Sequence, residues 1–112
     1  MNQKIERILA NVQKPGRYVG GELNAVIKDK ADVDVRFAFC FPDVYEVGMS
    51  HLGMKILYHT INAREDALCE RVFSPWVDMA ALMRAENVPL FTLESRAPST
   101  ICFGKRRQCR RI

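Results

Sequence analysis

The string Pro42-Asp43-Val44-Tyr45-Glu46-Val47-Gly48-Met49-Ser50-His51-Leu52-Gly53 holds the densest set of reactive groups in the chain. Carboxylates, a phenol, a hydroxyl, an imidazole and glycines fall within one short run. It follows an apolar stretch and leads into a helical pattern, so it lies where a strand gives way to a helix start. Unpaired N–H groups at a helix start favour anionic ligand groups. In open parallel sheets, ligands sit beyond the carboxyl ends of the strands. Pro42, Asp43, Tyr45, Glu46, Gly48, Ser50 and His51 are therefore the candidate cofactor-binding residues. The same string also fits an ordinary strand-to-helix loop, with Ser50 as the helix cap and His51 exposed. Phe73 to Trp76 and Glu94 to Arg96 are expected to converge on the same end of the sheet.

Other chemistries lack the spacing they need. Ser50 is not embedded in G-x-S-x-G, so no nucleophile elbow is present. Gly20-Gly21, Gly48 and Gly53 form neither G-x-G-x-x-G nor a Walker loop. The cysteines at 40, 69, 102 and 109 contain no C-x-x-C, which excludes a zinc or iron–sulfur signature built from them. Cys40 and Cys69 lie in apolar runs and are expected to be buried small hydrophobes. Trp76, Met79 and Met83 recur at helical spacing and are expected in the core. No catalytic residue and no metal ligand is assigned.

The elements that must position the string follow from periodicity. Ile5, Ile8, Leu9 and Val12 make one stripe of a helix over 2–12, ended by Lys14-Pro15-Gly16. The paired Gly20-Gly21 predicts a turn with positive φ. A short strand is expected over 22–27. Residues 33–41 alternate, with Val33, Val35, Phe37, Phe39 and Phe41 on one face, and stop at Pro42-Asp43. A helix over 50–63 is expected, with Leu52 and Ile56 on one apolar face and Leu57 and Ile61 on the adjoining flank. Residues 67–73 read as a strand. Ser74-Pro75 predicts a helix start, with Ser74 as N-cap and the proline at the first helical position. That helix runs to about Glu86, and Leu90 to Leu93 reads as a third strand. Strand, helix, strand, helix, strand over 33–93 implies parallel strands with right-handed crossovers. The fold class expected is α/β, a partial doubly wound parallel sheet of Rossmann-like form.

Composition sets the wider bounds. The chain has 112 residues, with 48% hydrophobic and 27% charged, a globular composition for one small domain. No apolar run reaches the roughly 18 residues of a membrane span. The polar start Met1-Asn2-Gln3-Lys4 leads into no signal-peptide h-region, so a cytoplasmic location is expected. The formal charge of +4 belongs to the far end. Lys105, Arg106, Arg107, Arg110 and Arg111 supply five of the 17 basic groups, leaving 12 against 13 acids before them. The body of the chain therefore carries no basic face for nucleic acid.

Two blocks carry a family likeness: Arg17-Tyr18-Val19-Gly20-Gly21-Glu22, and Phe37 to Gly53. Cys69-Glu70-Arg71-Val72-Phe73-Ser74-Pro75-Trp76 and Pro89-Leu90-Phe91-Thr92-Leu93-Glu94-Ser95 support them. Over residues 1–98 the chain resembles the N-terminal region of an uncharacterised group of cobalamin-binding-type radical SAM proteins. The resemblance implies a cobalamin-binding-type α/β half-domain, followed in longer proteins by a radical SAM barrel. In that barrel a C-x-x-x-C-x-x-C loop holds a four-iron four-sulfur cluster that binds S-adenosylmethionine. That loop has no counterpart here, so the chain alone is expected to lack radical chemistry. Cobalamin is the further cofactor implied. The His-on signature D-x-H-x-x-G would put Asp at 49 and Gly at 54 around His51. Both positions are methionine, so His51 is not a cobalt ligand.

The likeness breaks near Pro98. Residues 99–112 turn basic and cysteine-containing, as an out-of-frame end would, and are expected to be a disordered tail. The leading expectation is a fragment of a radical SAM iron–sulfur protein whose partner is the remainder of that protein. A free-standing module for a corrinoid or another anionic cofactor is the alternative. So is a small nucleic-acid-associated protein acting through its tail.

Overall fold

A computed structural model describes residues 2–29 and 32–98. The expected tail at 99–112 lies outside the described residues. Helix α1 spans Asn2–Leu9, shorter than the expected 2–12, and buries Ile5, Ile8 and Leu9 of the stripe read from the sequence, with Val12 packed partly buried beyond its end. A single 3-10 turn follows at Pro15–Arg17. Strand β1 is Val35–Phe41, α2 is Tyr45–Met49, and α3 is Leu52–Asn62. Strand β2 is Ala67–Phe73 and α4 is Val77–Ala85.

The architecture is mixed α/β around a two-stranded parallel sheet. Val35 pairs with Ala67 and the register runs unbroken to Phe41 beside Phe73. The crossover between the strands contains α2 and α3, as parallel pairing requires. Every residue of β2 is buried, whereas β1 is half-buried with Phe37 and Cys40 exposed. Two cores result. Ile5, Ile8 and Leu9 pack with Tyr18, Met79 and Met83 where α1 meets α4. Met54, Phe73 and Leu93 form the second core, joined by Phe39, Phe41 and Tyr45.

Four local expectations are corrected. Residues 90–93 do not form a ladder strand. They run beside β2 through one bond, from the Leu93 N–H to the Arg71 carbonyl at 2.9 Å, and Phe91 makes only an isolated bridge to Pro98. Residues 22–27 turn instead of extending, with the Ala25 N–H on the Glu22 carbonyl at 3.0 Å. The helix expected from 50 is split: Ser50 closes α2, bonding its hydroxyl to the Glu46 carbonyl at 2.8 Å, and His51 caps α3. Ser74 caps nothing, since α4 begins after Trp76. Its N–H is spent on the Asp43 carbonyl at 2.9 Å, which ties the exit of β2 to the exit of β1.

Helix α3 is also turned away from its expected face. Leu52 and Ile56 are exposed, and Met54, Tyr58 and Asn62 point inward. Polar pairing decides this orientation. Asn62 brackets the Cys69 peptide, donating from Nδ2 to its carbonyl at 3.0 Å and accepting its N–H on Oδ1 at 2.9 Å. A buried amide so satisfied fixes a helix against a strand more sharply than an apolar contact does.

Candidate functional site

The residues at 42–51 do come together at the carboxyl end of β1, but their polar groups are engaged internally. Asp43 Oδ1 accepts the Val44 N–H at 2.7 Å. Tyr45 donates its phenol to Glu22 Oε1 at 2.6 Å. Glu46 accepts Arg17 Nε at 2.7 Å, which holds its carboxyl below the usual range. His51 accepts the Met54 N–H on Nδ1 at 3.1 Å, and its ring stands 5.4 Å from that of Phe41. Gly53 leaves room for that cap, because a Cβ there would lie 3.0 Å from His51 Cε1. Gly48 is filled from the other side: a Cβ would fall 2.0 Å from Phe73 Cε1. Pro42 is exposed at the turn. The string is thus a braced corner between β1 and α3.

The chemistry gathers instead on Arg71, in the middle of β2. Its side chain is 6% exposed and lies between two carboxylates. Arg71 Nε donates to Glu94 Oε1 at 2.7 Å, and a terminal nitrogen donates to Glu22 Oε2 at 2.8 Å. The guanidinium also stands 4.8 Å from the Tyr58 ring centroid, a cation–π distance. Burial works against the Arg71 cation, but the Glu94 and Glu22 carboxylates outweigh it and hold the group charged. Burial likewise raises the Glu22 carboxyl, and the bonds from Tyr45 and Arg71 reverse that, leaving it below its ordinary value. Tyr58 donates to Glu94 Oε1 at 3.0 Å and accepts the Val26 N–H at 2.8 Å. Burial is the main cause that pushes both Tyr45 and Tyr58 up to about 12.

Beside Arg71 lies a cavity of about 160 Å³, lined by residues 22–25 as a roof and by residues of α3 and the end of α2. Of the sequence candidates only Gly48 lines it. Glu22, Met49, Met54, Lys55, Tyr58 and Arg71 were not singled out as site residues. One signal was available: Arg71 is a charge inside a strand otherwise fit for a core, and Glu94 ends an apolar run.

The thiols differ. Cys69 is fully buried, as expected, and burial pushes its thiol up to about 12. Cys40 is exposed, contrary to expectation, because nothing among the described residues fully covers its face of β1.

Residues 53–102 match the family model described as the N-terminal region of radical SAM proteins. The match spans somewhat less than half of the chain. It takes in α3, β2, α4 and the stretch after them, and reaches Gly53 at the end of the block at 37–53. No match was found among curated proteins or among solved structures.

The implied cofactors can be tested against these residues. Among the described residues no three His, Cys, Asp or Glu side chains stand together as metal ligands, so the residues present do not fit an iron–sulfur cluster. A cavity near 150 Å³ holds a molecule about the size of benzene, so the cavity beside Arg71 is far smaller than a corrin ring, and at the 42–51 corner Tyr45, Glu46 and His51 are bonded within the chain. Neither group supplies a step here. No described helix is long and apolar enough to cross a membrane.

Proposed function

We propose that residues 1–98 are the N-terminal α/β domain of a radical SAM protein, a packing module for a catalytic barrel that other sequence supplies. The family match over 53–102 carries this reading. The outer edge of β1 supports it. Among the described residues β1 pairs with β2 alone, Phe37 remains 40% exposed, and Arg36 Nε is shielded from water without a hydrogen-bond partner. Such an edge is suited to a further strand or a neighbouring domain. The module's part is then to hold that neighbour, with iron–sulfur and S-adenosylmethionine chemistry carried outside these residues.

A corrinoid at residues 42–51 would have to break the bonds made by Tyr45, Glu46 and His51. The domain is therefore read as a scaffold, and cobalamin as a cofactor it does not hold through this corner.

The test is anaerobic reconstitution of the 112-residue chain with iron and sulfide, followed by an assay for S-adenosylmethionine cleavage. No stoichiometric four-iron cluster and no cleavage are expected from the chain alone. Cleavage by this chain would overturn the scaffold reading. The coding sequence downstream provides the second arm. A C-x-x-x-C-x-x-C frame there supports the proposal, and an unrelated gene counts against it.

A further inference from the structure

The cavity beside Arg71 has a donor and an acceptor in reserve. Arg71 spends one terminal N–H on the Met49 sulfur at 3.2 Å. A thioether is a weak acceptor, so a buried guanidinium donor has a poor partner there. An ionised oxygen would make a bond roughly twice as strong as a neutral one. The Met49 side chain is of the flexible type that can step aside. Lys55 lines the same cavity, and its ammonium makes no hydrogen bond or ion pair among the described residues. Glu22 lines it too. Its two oxygens take one bond each, from Tyr45 and from Arg71, which leaves lone pairs unused.

Charge narrows the ligand class. Glu22 and Glu94 balance Arg71 and Lys55, so the site as a whole is neutral while each sign has spare capacity. A simple anion or a simple cation would upset that balance. A zwitterion matches it, with its carboxylate toward Arg71 and Lys55 and its ammonium toward Glu22. The remaining wall is mainly apolar, from Met49, Met54, Leu23 and the Tyr58 ring, with Asn24 and His59 as its neutral polar members. The volume of about 160 Å³ is near that of a pocket known to take a benzene-sized guest.

The geometry points to a binding site for a free α-amino acid with an unbranched apolar side chain, roofed by residues 22–25. The site does not depend on the radical SAM reading, since none of its charges comes from the family assignment.

The probe is L-norleucine, titrated into the full chain carrying 13C-methyl methionine. Met49 and Met54 line the cavity, whereas Met79 and Met83 belong to the other core. Saturable shifts are expected at the first pair and none at the second. Hexanoate and n-pentylammonium each lack one charge and are expected to bind at least about tenfold more weakly, a difference of about 1.4 kcal/mol. Lys55→Gln is expected to weaken L-norleucine by about the same factor. Its melting temperature should stay within about 2 °C, because an exposed side chain without partners contributes little stability. Hexanoate binding as tightly as L-norleucine would overturn the proposal. So would shifts at Met79 or Met83, an unchanged affinity in Lys55→Gln, or no saturation.

Discussion

Glu94 grips Arg71 at both ends. One carboxylate oxygen accepts Arg71 Nε at 2.7 Å, and the other accepts the Arg71 backbone N–H at 2.9 Å. The segment after α4 is thereby held against β2 where a third strand was expected. A side chain supplies the acceptor that a neighbouring backbone carbonyl would have supplied in a ladder.

Glu94→Ala is expected to be among the most damaging substitutions. It leaves the Arg71 cation buried with only part of its pairing, a loss of about 3–5 kcal/mol. Domains of this size have only about 5–15 kcal/mol in total. Urea unfolding should show the midpoint collapse. Adding Arg71→Met to Glu94→Ala should cost less than the sum of the two single changes, because the orphaned charge is removed. Strict additivity would show that the pair is not coupled.

Glu22 gives the fold an acid limit. Its folded pKa is depressed below the ordinary value of 4.5. The unfolded chain therefore binds its proton first as pH falls. The contribution of Glu22 is present in full above pH 4.5 and disappears as pH drops through the lower folded value. Glu22→Gln should melt well below the unmodified chain at neutral pH, and the two should converge in strong acid. A constant gap across the acid range would exclude this role. Tyr45 and Tyr58 set the opposite limit. Their phenols are raised from 10 to about 12, so stability they contribute is complete below pH 10 and is lost as pH rises toward 12.

The two described thiols should separate on alkylation. Cys40 is exposed and Cys69 is buried with its thiol pushed up to about 12. A maleimide should label Cys40 in the folded chain and reach Cys69 only when urea is added. Peptide mapping by mass spectrometry separates the sites. Equal labelling rates would mean that β2 opens far more readily than its burial implies.

Much of this fold was legible because its periodic elements are strongly patterned. The stripe of α1 and the β2 segment 67–73 appear at the expected places. Gly20 and Gly21 have φ of +64° and +79°, as the paired glycines implied. Gly20 also needs its missing Cβ, which would lie 2.9 Å from the Leu93 carbonyl. What the sequence hid is decided by polar pairing between distant residues. The orientation of α3 follows from Tyr58 and Asn62, whose partners are Glu94, Val26 and Cys69. The Tyr58 pairs span 32 and 36 positions, outside any local window, and the Asn62–Cys69 pair, although only seven apart, joins two elements that periodicity reads separately. The site escaped because its members are far apart: Glu22 and Arg71 lie 49 positions apart in sequence, so the charge inside β2 had no visible partner.

Gly48 offers a sharp packing test. Phe73 occupies the space where a side chain would begin, with Cε1 2.0 Å from an ideal Cβ. Gly48→Ala must push an aromatic ring or move α2, which costs about 1–3 kcal/mol or more. Phe73→Leu in the same chain should recover part of the loss by vacating that space. Thermal melts of the two single variants and the double variant give the coupling. Failure of Phe73→Leu to rescue would place the clash elsewhere.

Lys28 fastens the far end of the roof over the cavity. Its ammonium donates to the carbonyls of Asn62, Arg64 and Ala67 at 2.6, 2.8 and 2.9 Å. Three donors meet three acceptors, two of them at the unpaired carbonyl end of α3 and one at the start of β2. Little apolar burial shares the task, since Leu23 and Ile27 are strongly exposed. The segment 22–28 is therefore held mainly by polar pins: Glu22 on Arg71, Val26 on Tyr58, and Lys28 on the three carbonyls. Lys28→Met removes the last pin and leaves half-buried carbonyls without donors. A global loss of about 1–3 kcal/mol is expected. The more telling readout is local. The Val26 amide, bonded to the Tyr58 hydroxyl, should exchange with solvent much faster in Lys28→Met, while the Cys69 amide, bonded to Asn62, should slow or quicken only with global stability. Parallel acceleration of both amides would show that the roof and the sheet open as one unit, and that Lys28 is not a separate latch.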